Sequence, residues 1–309
     1  MTSHHAEHHA ERPADHRDPG HPHAHGHADH DTELDWSALL PLLEQSAELQ
    51  APLYREAGQW LAGLLPAGTV RRVLDVGSGP GVLSCLLAEV FPYAEVVAVD
   101  GTPELLAAAE RRATAQGARV TTLHADLPGE LPALGEADLL WAANSLHHLG
   151  DQRAALAGFA ERLRPGGLLA IVEGGLPQRF LPRNPGIGRP GLEQRIEAVH
   201  AEWFARMRAD LPDAKDEVDD WRALLADTGL VPSGSRTFLH DSPAPVTDAV
   251  RHQAVTQFTR YREAFGEALA ADDLVALDRL LDPAEPLGLH RRTDLYWLAA
   301  HTVHTARKG

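Results

Sequence analysis

Three glycines in eight residues, Gly77, Gly79 and Gly81 of "LDVGSGPG", follow an apolar run that ends at Asp75. Glycine at such a turn accepts a positive φ and lets backbone approach a ligand closely. Two further acids close the next two apolar runs, Asp100 in "AEVVAVD" and Asp126 in "HADL". A carboxylate can accept two hydrogen bonds at once, from paired hydroxyls or from an amine. Past the fourth run stands "NSLHHLGD", with His147 and His148, and past the fifth stands Glu173. Imidazole takes a proton near neutral pH, and Glu173 is either a second base or the acceptor that orients one. The plain alternatives are a packing histidine and an exposed strand end.

These residues need strands that stop together. "VRRVLDV", "AEVVAVD", "ARVTTLHAD", "ADLLWAANS" and "LLAIVEGG" read as strands. "PELLAAAERRATAQG" and "DQRAALAGFAERLRPGG" read as helices, the first with Pro103 in its first turn and Gly117 past its end. Strands buried on both faces and alternating with helices predict a parallel sheet covered on each side. In such a sheet ligands lie outside the carboxyl ends of the strands. Before the glycine turn, residues 34–68 predict two helices broken near Pro52. After Gly175 the alternation stops. "LPQRFLPRNPGIGRPG" is too rich in Pro, Gly and Arg for a core element, and "LEQRIEAVHAEWFARMRADL" predicts an amphipathic helix. "DEVDDWRALLADTGL" restores a core helix, "SGSRTFLH" is a sixth strand, and a helical pair over 244–283 precedes the last strand in "DLYWLAAHTVHTARK".

Composition narrows the partners. A net charge of −16 opposes a phosphate-backbone partner, and no apolar run approaches a membrane span. The single cysteine, Cys85, excludes an internal disulfide and fits a cytoplasmic setting, and its place in an apolar helix predicts a buried, inert thiol. Ten of the 19 histidines lie in the first 31 residues. That segment, taken as 1–33, is too poor in aliphatic residues to offset its ordering entropy and reads as a disordered tail. It could also hold Zn, Ni or Cu weakly, although its spacing is not that of a structural zinc site and no metal ligand is assigned to it.

The glycine turn departs from the dinucleotide fingerprint, because Val82 stands three residues past Gly79, and no Gly-Lys-Ser/Thr follows. It resembles instead the cofactor turn of class I S-adenosylmethionine-dependent methyltransferases, and the resemblance covers roughly residues 50–175, with "LRPGG" before the fifth strand. It implies a Rossmann-like α/β fold over 34–309, a seven-stranded mostly parallel sheet with helices on both faces. Segments of about 34–66, 176–215 and 244–290 would form a helical cap. It also implies S-adenosylmethionine as cofactor, with Asp75, Gly77, Ser78 and Gly79 around its methionine moiety and Asp100 on its ribose. Asp126 and Leu127 would meet the adenine, and Asn144 the amino-acid end.

The implied reaction moves a methyl group to oxygen or nitrogen, with carbon as a further option, of a small and specialised acceptor. Only a hydroxyl or protonated amine then needs a base, for which His147, His148 and Glu173 are the candidates. Tyr54 could reach the cofactor or simply pack in the core. His200, Trp203 and Arg206 share one helix face that could line a lid. Arg179, Arg183, Arg189 and Arg195 make the insertion locally basic, which could admit a carboxylate. Two other readings stay open: a same-fold enzyme with different chemistry, and a metal-handling or interaction protein that works through the tail. A homodimer is compatible with the sequence and not indicated by it.

Overall fold

A computed structural model describes residues 36–309; the histidine-rich segment lies outside the described residues. Seven strands, β1 (Arg72–Val76), β2 (Glu95–Asp100), β3 (Val120–His124), β4 (Ala137–Ala143), β5 (Leu163–Arg179), β6 (Val231–Ser242) and β7 (Trp297–Arg307), form one sheet in the order β3-β2-β1-β4-β5-β7-β6. β1 to β5 pair in parallel, whereas β7 runs antiparallel to both β5 and β6. The order reverses between β1 and β4, which opens a crevice at their carboxyl ends.

Alternation along the strands divides the core in two. Val73, Leu139, Trp141 and Ala170 face α1 (Trp36–Leu64) and α2 (Val82–Val90). Leu74, Val76, Leu140 and Ile171 face α4 (Gln152–Glu161) and α6 (Trp221–Asp227). α3 (Pro103–Gln116) has Pro103 at its start and ends on Gly117 in the left-handed conformation. A third apolar cluster is separate from these. It joins Phe180, Leu181 and Ile187 to α5 (Leu192–Ala209), α7 (Asp248–Phe265) and α8 (Ala271–Leu281), and closes on Trp297 of β7. Among the described residues no helix is long and apolar enough to cross a membrane.

Two expectations are corrected. The segment before the glycine turn is one helix, with Pro41 and Pro52 inside it. Pro52 removes one backbone hydrogen bond, at a cost of about 3 kcal/mol, but the next turns bury Leu53, Tyr54, Ala57 and Leu61 at 4% exposure or less, which outweighs that cost. Residues 176–179 continue β5 rather than leaving the sheet. They do so through a bulge: the register shifts between Val172 and Gly175, and a Cβ on Gly175 would stand 2.0 Å from the Ala300 carbonyl oxygen. Only glycine, here at φ +123°, lets the strands run that close.

The base of the sheet is tied by Asp138, which accepts hydrogen bonds from the Arg71 and Arg72 amides at 2.7 and 2.9 Å and pairs with Arg164 at 3.1 Å. Partial burial works against its charge, but the two amides and Arg164 outweigh it and hold the carboxyl below the ordinary range. Asp138→Ala is expected to lower unfolding stability by about 1.5 to 3 kcal/mol, read by urea titration. Because the native pKa is lowered, this contribution is present above the ordinary carboxylate range and is lost as pH falls through the native value. The variant should therefore match the wild type at strongly acid pH and differ from it at neutrality.

Candidate active site

The glycine turn is held from both sides. The Gly77 and Ser78 amides donate to Val99 O at 2.9 and 3.0 Å, and the Gly79 amide donates to Asp100 Oδ2 at 2.9 Å. Gly77 has φ +70°, and a Cβ there would lie 2.4 Å from Cβ of Ser145, so the turn and the loop after β4 touch through a missing side chain. Asp100 spends its other oxygen on the Thr102 amide at 2.9 Å. Its carboxylate thus fixes the turn and keeps further acceptor capacity for a ligand. Asp75 departs from the grouping expected for it. At 1% exposure it lies beneath the turn, accepts a hydrogen bond from Ser84 Oγ at 2.5 Å, and is pushed up to about 7 by burial. Asp126 is exposed and Leu127 half-buried at the end of β3. Cys85 is buried in α2, and burial pushes its thiol up.

A groove of about 210 Å³ runs over this turn, lined by Tyr54, Gly77, Ser78, Gly79 and Asn144 among others. It fits a polar guest: Ser78 Oγ is buried with no hydrogen-bond partner, and a Cβ on Gly79 would meet nothing within 4 Å. Asn144, at φ +51°, also lines a second cavity of about 510 Å³ under α5 and α7. Groove and cavity therefore meet at one residue. Behind it stands a polar stack that the sequence did not suggest. Asn144 Nδ2 donates to the Tyr54 hydroxyl at 3.0 Å, Tyr54 stacks on His301 at 5.5 Å, and His301 Nε2 meets Gln50 Oε1 at 2.6 Å. Burial raises Tyr54 to about 12 and lowers His301, so the phenol keeps its proton and the imidazole is neutral.

His147 and Glu173 face the cavity together. His147 Nδ1 is 3.2 Å from Glu173 Oε2, and Glu173 Oε1 accepts from the Leu146 amide at 3.0 Å. The buried carboxylate therefore fixes the ring from its Nδ1 side. His148 packs its ring 4.3 Å from that of His147 but is exposed and does not line the cavity. Of the proposed lid face, His200 and Trp203 line the cavity and Arg206 does not. Arg189 and Arg195 are bound to buried Asp273, and none of the four insertion arginines lines the cavity. Arg208 of α5, a functional residue that the sequence did not single out, donates to the carbonyls of His147 and Leu149 at 2.8 and 2.6 Å.

Known proteins share this arrangement of sequence. Residues 73–167 match the family described as a methyltransferase domain. The trans-aconitate 2-methyltransferase of Delftia acidovorans is 28% identical over 263 residues, covering 81% of this chain and 91% of that protein. That of Methylobacterium nodulans is 31% identical over 225 residues, 67% of this chain and 82% of its own. An uncharacterised methyltransferase of Mycobacterium bovis is 41% identical over 113 residues, 36% of this chain, and the chain covers 54% of that relative's length. The similarity runs along most of the chain, and the chain belongs to the class I S-adenosylmethionine-dependent methyltransferases.

Proposed function

We propose that the protein methylates an oxygen or nitrogen of a small, specialised acceptor bound in the 510 Å³ cavity, with His147 as the base. The observation that carries this reading is the meeting of groove and cavity at Asn144, beside the His147–Glu173 pair. S-adenosylmethionine supplies an electrophilic methyl on a positively charged sulfur. Ser78 and the backbone of Gly77 and Gly79 hold its methionine portion, Asp100 its ribose, Asp126 and Leu127 its adenine, and Asn144 its amino-acid end. Asp75 acts from below, through Ser84 and the turn. The segments 180–215 and 244–290, with the first half of α1, form the cap that excludes water. The name of two of the relatives above, trans-aconitate 2-methyltransferase, supports a small-molecule acceptor. A cytoplasmic setting accords with the lone cysteine.

The test is transfer of a tritiated methyl from S-adenosylmethionine into a small-molecule fraction. Label in low-molecular-weight product, with one S-adenosylhomocysteine per methyl, supports the reading; label confined to protein or nucleic acid contradicts it. Arg208 should matter as a positioning residue, since it holds the backbone that carries His147. Arg208→Ala is expected to lower the single-turnover rate by about 10- to 100-fold through misplacement of that loop, with cofactor affinity unchanged and partial recovery in Arg208→Lys.

A further inference from the structure

The walls of the acceptor cavity restrict what can enter it. On the cap side they are aromatic. His200 stacks on Trp203 at 5.9 Å, Phe265 lies 5.9 Å from Trp203 and stacks on Tyr261 at 6.0 Å, and Phe204 is 5.5 Å from His147. Trp203 is 41% and Leu176 58% exposed at this cavity, apolar area that a bound ring would cover.

The charge on the walls points the same way. Glu173 and Glu197 line the cavity against one guanidinium, that of Arg260. The His200 ring, its Nδ1 3.7 Å from Glu197 Oε1, and the charge of Arg179 hold Glu197 below the ordinary carboxylate range against its partial burial, so it is ionised at neutral pH. Arg189 and Arg195 are committed to Asp273, and Arg179, which does not line the cavity, already offsets Glu197 from behind. A guest with several carboxylates would find one guanidinium on the cavity wall to pair with, and would meet the carboxylates of Glu173 and Glu197 beside it. Gln178 Oε1, buried on the same wall without a partner, calls for a donor on the guest.

The His147–Glu173 pair adds a constraint from reactivity. A carboxylate acceptor, with a pKa of about 4, is already ionised at neutral pH and needs no base. A phenol, at about 10, must lose its proton as the methyl arrives.

We infer that the acceptor is a planar aromatic hydroxyl compound, methylated at its phenolic oxygen, and not a polycarboxylate; this rests on the reading of His147 as base given above. The phenolic oxygen forms the new O–C bond, the C–S bond breaks with its electrons going to sulfur, and the phenolic proton passes to His147 Nε2 and from there to water. The outcome is a methyl ether and a neutral thioether.

Calorimetry on the full chain saturated with S-adenosylhomocysteine, using 1-naphthol, 1-naphthylamine and trans-aconitate as probes, tests the class of guest. 1-Naphthol should bind at least about tenfold more tightly than trans-aconitate, and Trp203→Ala should weaken it about tenfold, with recovery in Trp203→Phe and unchanged S-adenosylhomocysteine affinity. Tighter binding of trans-aconitate, or 1-naphthol binding indifferent to Trp203→Ala, overturns the inference. With S-adenosylmethionine, faster methylation of 1-naphthylamine than of 1-naphthol overturns the hydroxyl assignment. Full-rate transfer to 1-naphthol in His147→Ala, with the binding preference intact, would remove the base and leave the aromatic class standing, so the two readings fail separately.

Discussion

Asp100→Ala is expected to weaken S-adenosylmethionine binding by about 2 to 4 kcal/mol, the scale of two hydrogen bonds to a charged acceptor in a partly buried site. At 1.4 kcal/mol per decade this is a loss of roughly 30- to 700-fold in affinity, measured by calorimetry. Two contributions are combined in it. One is the pair of ribose hydroxyl bonds; the other is the Gly79 amide, which donates to Asp100 Oδ2 and would lose the acceptor that shapes the turn. Asp100→Asn separates them. It retains one acceptor oxygen for the backbone but has no negative charge, so an intermediate loss is expected. Wild-type affinity in a folded Asp100→Ala variant would rule out this carboxylate as the ribose ligand.

His147→Ala should lower the rate of methyl transfer by about 10²- to 10⁴-fold, the range of general base catalysis, while cofactor affinity changes little. The loss should fall on kcat, because the proton moves only in the transition state. Glu173→Gln keeps the shape that orients the ring and removes the charge that stabilises it when protonated, so its effect should lie between the two. A His147→Ala enzyme with the wild-type rate would make the histidine structural, and alignment alone would carry the reaction.

Local signals made part of this site legible before any coordinates. β-branched runs set the strands, and the acids and glycines stand where those runs stop; Gly77, Asp100, Asn144 and His147 are all within two residues of a strand end or on the turn or loop that follows it. The strand beyond Gly175 was hidden because Pro177 and the glycines signal a loop, yet antiparallel pairing with β7 tolerates them at the shifts in register on either side of Leu176. The break expected near Pro52 failed for a related reason: tertiary burial of Tyr54 and its neighbours overrides a local penalty. Asp75 looked equivalent to the other strand-end acids, and only packing against Ser84 shows that it faces inward.

The far wall of the cavity could not be read in the same way. Gln178, Arg260, Tyr261 and His301 come from β5, α7 and β7 and meet only in the folded chain. His301 alone left a trace, a polar residue following two buried alanines in the last strand. Arg208 resembles any basic residue near the end of an amphipathic helix until its carbonyl partners are known.

The most direct measurement of the account is a crystal structure with S-adenosylhomocysteine bound. The ribose hydroxyls should rest on Asp100, and the sulfur should lie at Asn144 and open toward the cavity that holds His147 and Glu173. A ribose away from Asp100, or a sulfur turned away from that cavity, would contradict it.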